Sequence, residues 1–145
     1  MAVYITIKHV ISRFFFPIDF DKLSPSSGFY TSHLGAKIDC FTDRFPNLEP
    51  NAYDLALIGV LDDRGALNNQ GCALGPDYVR GQLYTLSEGN FTTRIVDLGN
   101  IKAGKELSDT YIALKTVVAE LVKLNIVPII LGGGQDLTPY YLFEE

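Results

Sequence analysis

Apolar and polar positions along this chain fall into blocks that read as strand, helix, strand, helix, strand and the start of a further helix. The clearest block is 126–131, Ile-Val-Pro-Ile-Ile-Leu, a run dominated by β-branched side chains and halted by Gly132, Gly133 and Gly134. Gln135 and Asp136 are the first side chains past the glycines, and Thr138-Pro139 predicts a helix start. Upstream, 53–61 has a buried-strand pattern that ends in Asp62-Asp63-Arg64-Gly65. Gly75-Pro76 then opens a helix whose apolar stripe is Val79, Leu83 and Leu86. Residues 93–99 predict a second short strand, with Asp97 at its exit and Gly99-Asn100 as the turn. A helix from about 108 to 123 follows, capped by Ser108 or Asp109, with Tyr111, Leu114, Val118 and Leu121 at helical spacing and Asn125 as its stop.

Alternating strands and helices imply a three-layer α/β/α fold, with a mostly parallel sheet and right-handed crossovers. In such sheets ligands bind beyond the carboxyl ends of the strands, where the next helix points its unpaired N–H groups. Asp62, Asp63 and Asp97, together with Gly132, Gly133, Gly134, Gln135 and Asp136, are therefore the candidates for lining a crevice. Each has a plainer reading. The glycines can serve only to pack a crossover turn, and the aspartates can be turn and cap residues, with Asp63 or Asp77 paired to Arg64 or Arg80. Pro128 removes one ladder donor and argues against a central position for its strand. Three convincing strands are few for a stable sheet of this kind, so the chain is expected to be the first part of a larger domain. An open edge and an uncovered apolar face would then favour a homo-oligomer.

The first fifty residues fit this scheme least well. Residues 2–20 are β-branched and aromatic, enough for a strand or an arm, and 21–50 turn to Ser, Pro, Gly, Asn and Asp, which is loop chemistry. The expected division is an irregular arm over 1–50 and an α/β unit over 51–145. A net charge of -5 over 145 residues argues against nucleic acid or an anionic membrane as the main partner. Two cysteines, Cys40 and Cys72, do not make a disulfide framework or a metal-type spacing, which suits reduced thiols in the cytoplasm. No apolar stretch approaches the roughly 20 residues of a membrane span. His9 and His33 lie in the irregular third and read as surface or packing residues. Tyr140 and Tyr141 are expected to pack the last helix.

Four short motifs occur in order between residues 54 and 138: Leu57-Ile58-Gly59-Val60 leading to Asp63-Arg64-Gly65, Gly75-Pro76 with Val79-Arg80, Asp97-Leu98-Gly99-Asn100, and Ile129-Ile130-Leu131-Gly132-Gly133-Gly134-Gln135-Asp136. In this order and spacing the chain resembles the N-terminal part of the ureohydrolases, the arginase, agmatinase and formimidoylglutamase family. The Gln-Asp-Leu-Thr ending is most similar to the formimidoylglutamase branch. The resemblance implies an arginase-like fold and, in a full-length parent, two manganese ions whose bridging hydroxide attacks the carbon of an amidine or guanidine. The family takes its first metal ligand from a histidine just after the glycine turn, where this chain has Gln135, and the others from Asp-x-His-x-Asp and Asp-x-Asp motifs that these 145 residues lack. By that comparison no manganese and no activity are expected of this chain alone. The alternatives are a non-catalytic relative that binds a metabolite or assembles with partners, and a flavodoxin-like domain that holds a nucleotide phosphate at the glycines.

Overall fold

The computed structural model describes residues 9–23 and 25–140. Five strands form one mixed, mostly parallel sheet: β1 (Phe15–Phe16), β2 (Asp39–Cys40), β3 (Leu55–Val60), β4 (Ile95–Ile101) and β5 (Val127–Leu131). β3 lies between β4 and β5 and is parallel to both. The outer side of β4 is shared by β2, which is parallel to it, and β1, which is antiparallel. Among the α-helices of the described residues are the single turn α1 (Phe20–Leu23), α2 (Gly75–Leu83) and α3 (Leu107–Lys123).

Side-chain alternation along β3 divides the core in two. Ala56, Ile58 and Val60 join Leu114, Val117, Val118 and Leu121 of α3 in the larger cluster, whereas Leu57 packs with Tyr84, just past α2, and with Leu131 on the opposite face. Helices on both faces of a parallel sheet give the expected three-layer arrangement. No helix of the described residues is long and apolar enough to cross a membrane.

α3 is built as its sequence indicates at one end and differently at the other. Asn125 adopts φ 58°, its N–H bonds to the Val122 carbonyl and the Ile126 N–H to that of Leu121, so the chain leaves the helix through a left-handed Schellman turn straight into β5. The start lies earlier than Ser108 or Asp109: Glu106 is the cap residue, and Asp109 reaches back to accept its N–H at 2.9 Å.

Several expected features are corrected. The helix at Gly75-Pro76 buries Pro76 and Arg80, while Val79 and Leu86 face outward, so the Val79–Leu83–Leu86 stripe is not its inner face. β4 does not end at Gly99-Asn100 but runs through them to Ile101. Its register against β3 steps from Leu57 opposite Asp97 to Gly59 opposite Asn100, which places an extra residue in β4 at Gly99, φ 82°. β5 is an edge strand with Val127 and Ile129 partly exposed, not a buried one, and Pro128 there agrees with the edge reading. The last helical segment is a 3-10 helix beginning at Gln135, with Pro139 inside it rather than at its first position. Within the first fifty residues, β1 and β2 extend the sheet, and Ile11, Phe15, Ile18, Phe45 and Leu48 are buried.

Candidate functional site

The carboxyl ends of β3 and β5 lie side by side, and the glycine run crosses between them and the start of α2. All three glycines are set by close approach. A Cβ on Gly132 would strike the Pro76 ring, one on Gly133 would strike Leu137, and one on Gly134 would overlap the Asp136 carboxylate. Two of the three N–H groups are also engaged: Gly133 donates to the Cys72 carbonyl at 3.4 Å and Gly134 to that of Asp62 at 3.2 Å. A phosphate loop turns such groups toward its ligand. Here the Gly133 and Gly134 N–H groups tie the turn to the loops beneath it instead.

Asp62 sits directly under this turn and is almost wholly buried. Arg64 grips it in fork geometry, Nε to Oδ1 at 2.9 Å and Nη2 to Oδ2 at 2.7 Å, and Thr110 of α3 donates to Oδ2 at 2.6 Å. Burial pushes this carboxyl up, but the bonds from Arg64 and Thr110 outweigh it and hold the group below its ordinary value. Arg64 is further fixed by the Gly104 and Lys105 carbonyls. Asp63 caps the next loop, its Oδ2 accepting the Gly71 N–H at 2.5 Å. The sequence offers Asp63 or Asp77 as partners for Arg64 or Arg80; Arg64 pairs instead with Asp62.

Asp97 is not at a strand exit. The extra residue at Gly99 lets Asp97 and Asn100, three apart in sequence, point to the same face of β4, beneath α2. Arg80 lies over both and is fully buried. Its Nε and Nη2 bond Asp97 at 2.7 and 2.8 Å, its Nη1 bonds Asn100 Oδ1 at 2.6 Å, and Tyr84 donates to Asp97 Oδ2 at 2.7 Å. Gly59 leaves the space, since a Cβ there would overlap Asn100 Oδ1. Asp77 is a looser neighbour of Arg80, at 3.8 Å. This network lies in the layer between helix and sheet, and Asp97 is not among the residues that border the concavity at Gln135 and Asp136. Cys40 closes the network: its Sγ is 3.4 Å from the Tyr84 hydroxyl, and burial raises its thiol to about 11.

Gln135 and Asp136 do border a concavity, of about 500 Å³, with Gly65, Ala66, Leu67, Asn68 and Asn69. Gln135 is exposed at its rim. Asp136 lies deeper, where Oδ2 accepts the Tyr111 hydroxyl at 2.6 Å, and a Cβ on Gly65 or Gly134 would overlap its carboxylate. Its Oδ1 is shielded from solvent and has no hydrogen-bond partner among the described residues. Tyr111 in turn stacks on Tyr140, ring centroids 3.9 Å apart, the packing role expected of Tyr140; Tyr141 lies outside the described residues. His33 accepts the Tyr30 N–H and sits edge-on to Phe29, a packing residue.

The model of the arginase family matches residues 53–141. This chain belongs to the arginase family. Among its relatives are the formimidoylglutamase of Photorhabdus laumondii, 34% identical over 92 residues that make up 61% of this chain and 29% of that protein, and the mitochondrial guanidino acid hydrolase of Mus musculus, 30% identical over 125 residues, 79% and 35% of the two. The formimidoylglutamase of Streptococcus gordonii is 32% identical over 113 residues, 74% and 34%. The chain thus spans about a third of the length of the curated relatives it matches. No solved structure matches it.

The arginase family is metal-dependent, and the donors among the described residues do not fit a metal pair. Among the described residues no group of three or more His, Cys, Asp or Glu side chains could hold an ion. Of the carboxylates near the glycine turn, Asp62 is spent on Arg64 and Thr110 and Asp63 on Gly71, which leaves a single oxygen of Asp136 without a donor. Gln135 offers only a neutral amide oxygen, a weaker donor to manganese than imidazole.

Proposed function

We propose that this arginase-family chain forms the floor of an amidine-hydrolase crevice of the formimidoylglutamase type, and that it does not turn over substrate alone. The observation that carries this reading is the position of Gln135. It stands exposed at the mouth of the concavity, where the family resemblance places a histidine ligand, with no set of metal donors around it among the described residues. The names of the matched relatives support a linear C–N bond in an amidine or guanidino compound as the target, and Cys40 and Cys72, both unpaired, suit a reducing cytoplasm.

The test is formamide release from formimidoylglutamate by the purified 145-residue chain with manganese added. The expected result is a rate equal to the protein-free blank. Turnover that co-purifies with the chain and survives removal of contaminating hydrolases would refute the proposal. The same Gln135 also favours a second reading, a non-catalytic relative that keeps the fold to bind a metabolite. Saturable metabolite binding by a longer gene product that binds no manganese would favour it.

A further inference from the structure

We infer that Asp136 is the cation-binding group of this crevice and takes the flat, positively charged N–C–N head of an amidinium ligand. The inference rests on the amidine reading above and assigns that role to a side chain outside the matched ligand position.

A buried carboxylate oxygen without a donor is costly, and native structures rarely leave one so. Asp136 Oδ1 is in that condition, although its partner oxygen is satisfied by Tyr111. The surroundings indicate which kind of donor is missing. The concavity is lined by three carboxamides, Asn68, Asn69 and Gln135, and by no lysine, arginine or histidine. Each carboxamide carries an acceptor oxygen as well as an NH2, so beside one carboxylate the three can accept N–H groups while the carboxylate neutralises a single positive charge, which is what a planar amidinium presents. A divalent ion would need more anionic oxygens than this.

The cradle is also shaped for close approach. Gly65 and Gly134 flank the carboxylate on two sides, where any Cβ would occupy the same space. Ala66 closes over Gly134, and Leu67 and Asn68 beyond it are exposed, Asn68 in the left-handed region at φ 57°. A ligand in the concavity can reach Oδ1 only if loop 65–69 shifts outward, so the assignment requires that movement.

The experiment follows the backbone amide signals of Gly65, Asn68, Asn69 and Gly134 by NMR while the chain is titrated with acetamidinium chloride, against sodium chloride at equal ionic strength. Saturable shifts confined to these residues are expected, weakened at least tenfold in Asp136→Asn. Tyr111→Phe keeps the stacking on Tyr140 and releases Oδ2, so it is expected to bind the probe more tightly, and it carries the test if Asp136→Asn does not fold. The inference is overturned by any of three results: no saturable shift in the native chain, equal affinity in Asp136→Asn, or weaker binding in Tyr111→Phe. Saturable broadening of the same signals by manganese chloride, without an acetamidinium response, overturns it in favour of a metal site. Equal affinity in Asp136→Asn removes only Asp136 from the amidine reading, whereas turnover by the chain alone refutes the proposed function and leaves this assignment standing.

Discussion

Arg80→Met is the sharpest test of how this fold is held together. The guanidinium is fully buried, bonds both oxygens of Asp97, and has Asn100 and the Gly99 carbonyl as its other acceptors. Methionine fills much of its volume but leaves Asp97 buried with only the Tyr84 hydroxyl and the Gly99 N–H as donors. Removing one partner of a buried ion pair costs about 3–5 kcal/mol, because the remaining charge is stranded in a medium that solvates it poorly. For a chain of this length that is a fall in melting temperature on the order of 10 °C. Urea denaturation followed by circular dichroism gives the free energy directly. The double variant Arg80→Met/Asp97→Leu replaces the pair by apolar volume and should recover at least half of the loss, since such replacements are often close to neutral. A single-variant cost below about 1 kcal/mol, or a double variant whose loss is the sum of its parts, would refute the claim that pairing of buried charge fastens α2 to β4.

Two further outcomes are expected. Asp62 has its folded carboxyl held down, so the stability it contributes is fully present above the unfolded aspartate value of about 3.9 and is lost as the pH falls through the lower folded value. Arg64→Gln should therefore lower stability at neutral pH and flatten the acid limb of a stability-against-pH curve, and an acid limb unchanged in slope would show that Arg64 does not set this carboxyl. The Cys40 thiol, raised to about 11, carries on the order of one thiolate in a thousand at pH 8. A thiol reagent at that pH should label Cys72 and spare Cys40 until urea unfolds the chain, and equal labelling rates in the native state would contradict the buried Cys40–Tyr84 contact.

The order of β3, α2, β4, α3 and β5 was legible because its signals are local: β-branched runs, Gly-Pro at a helix start, Asn125 at a helix end. Arg80 was not. A charged residue on an amphipathic helix reads as solvent-facing, and only the combination of Gly59 across the sheet with an extra residue at Gly99 makes a place for it inside. An isolated glycine within a strand pattern is a bulge signal, and giving it that weight would have kept β4 running past Gly99 and taken Asp97 out of the crevice. β1 and β2 are two residues each, too short to show any period. Asp136 was found from its position after the glycines, but its partner Tyr111 lies 25 residues away, and the pocket around it depends on Gly65, for which no local signal exists.

Pro128 has a consequence for what can settle beside β5. The Val127 N–H bonds the Asp54 carbonyl, so alternate residues of the strand turn inward to β3, and Pro128 and Ile130 turn outward. The free margin therefore offers two carbonyls and a single strand donor, that of Ile130. Two identical margins laid together would be short of hydrogens, each asking for what the other lacks. A newcomer at this border has to be donor-rich, which makes the sheet selective about its next neighbour before any side chain is compared.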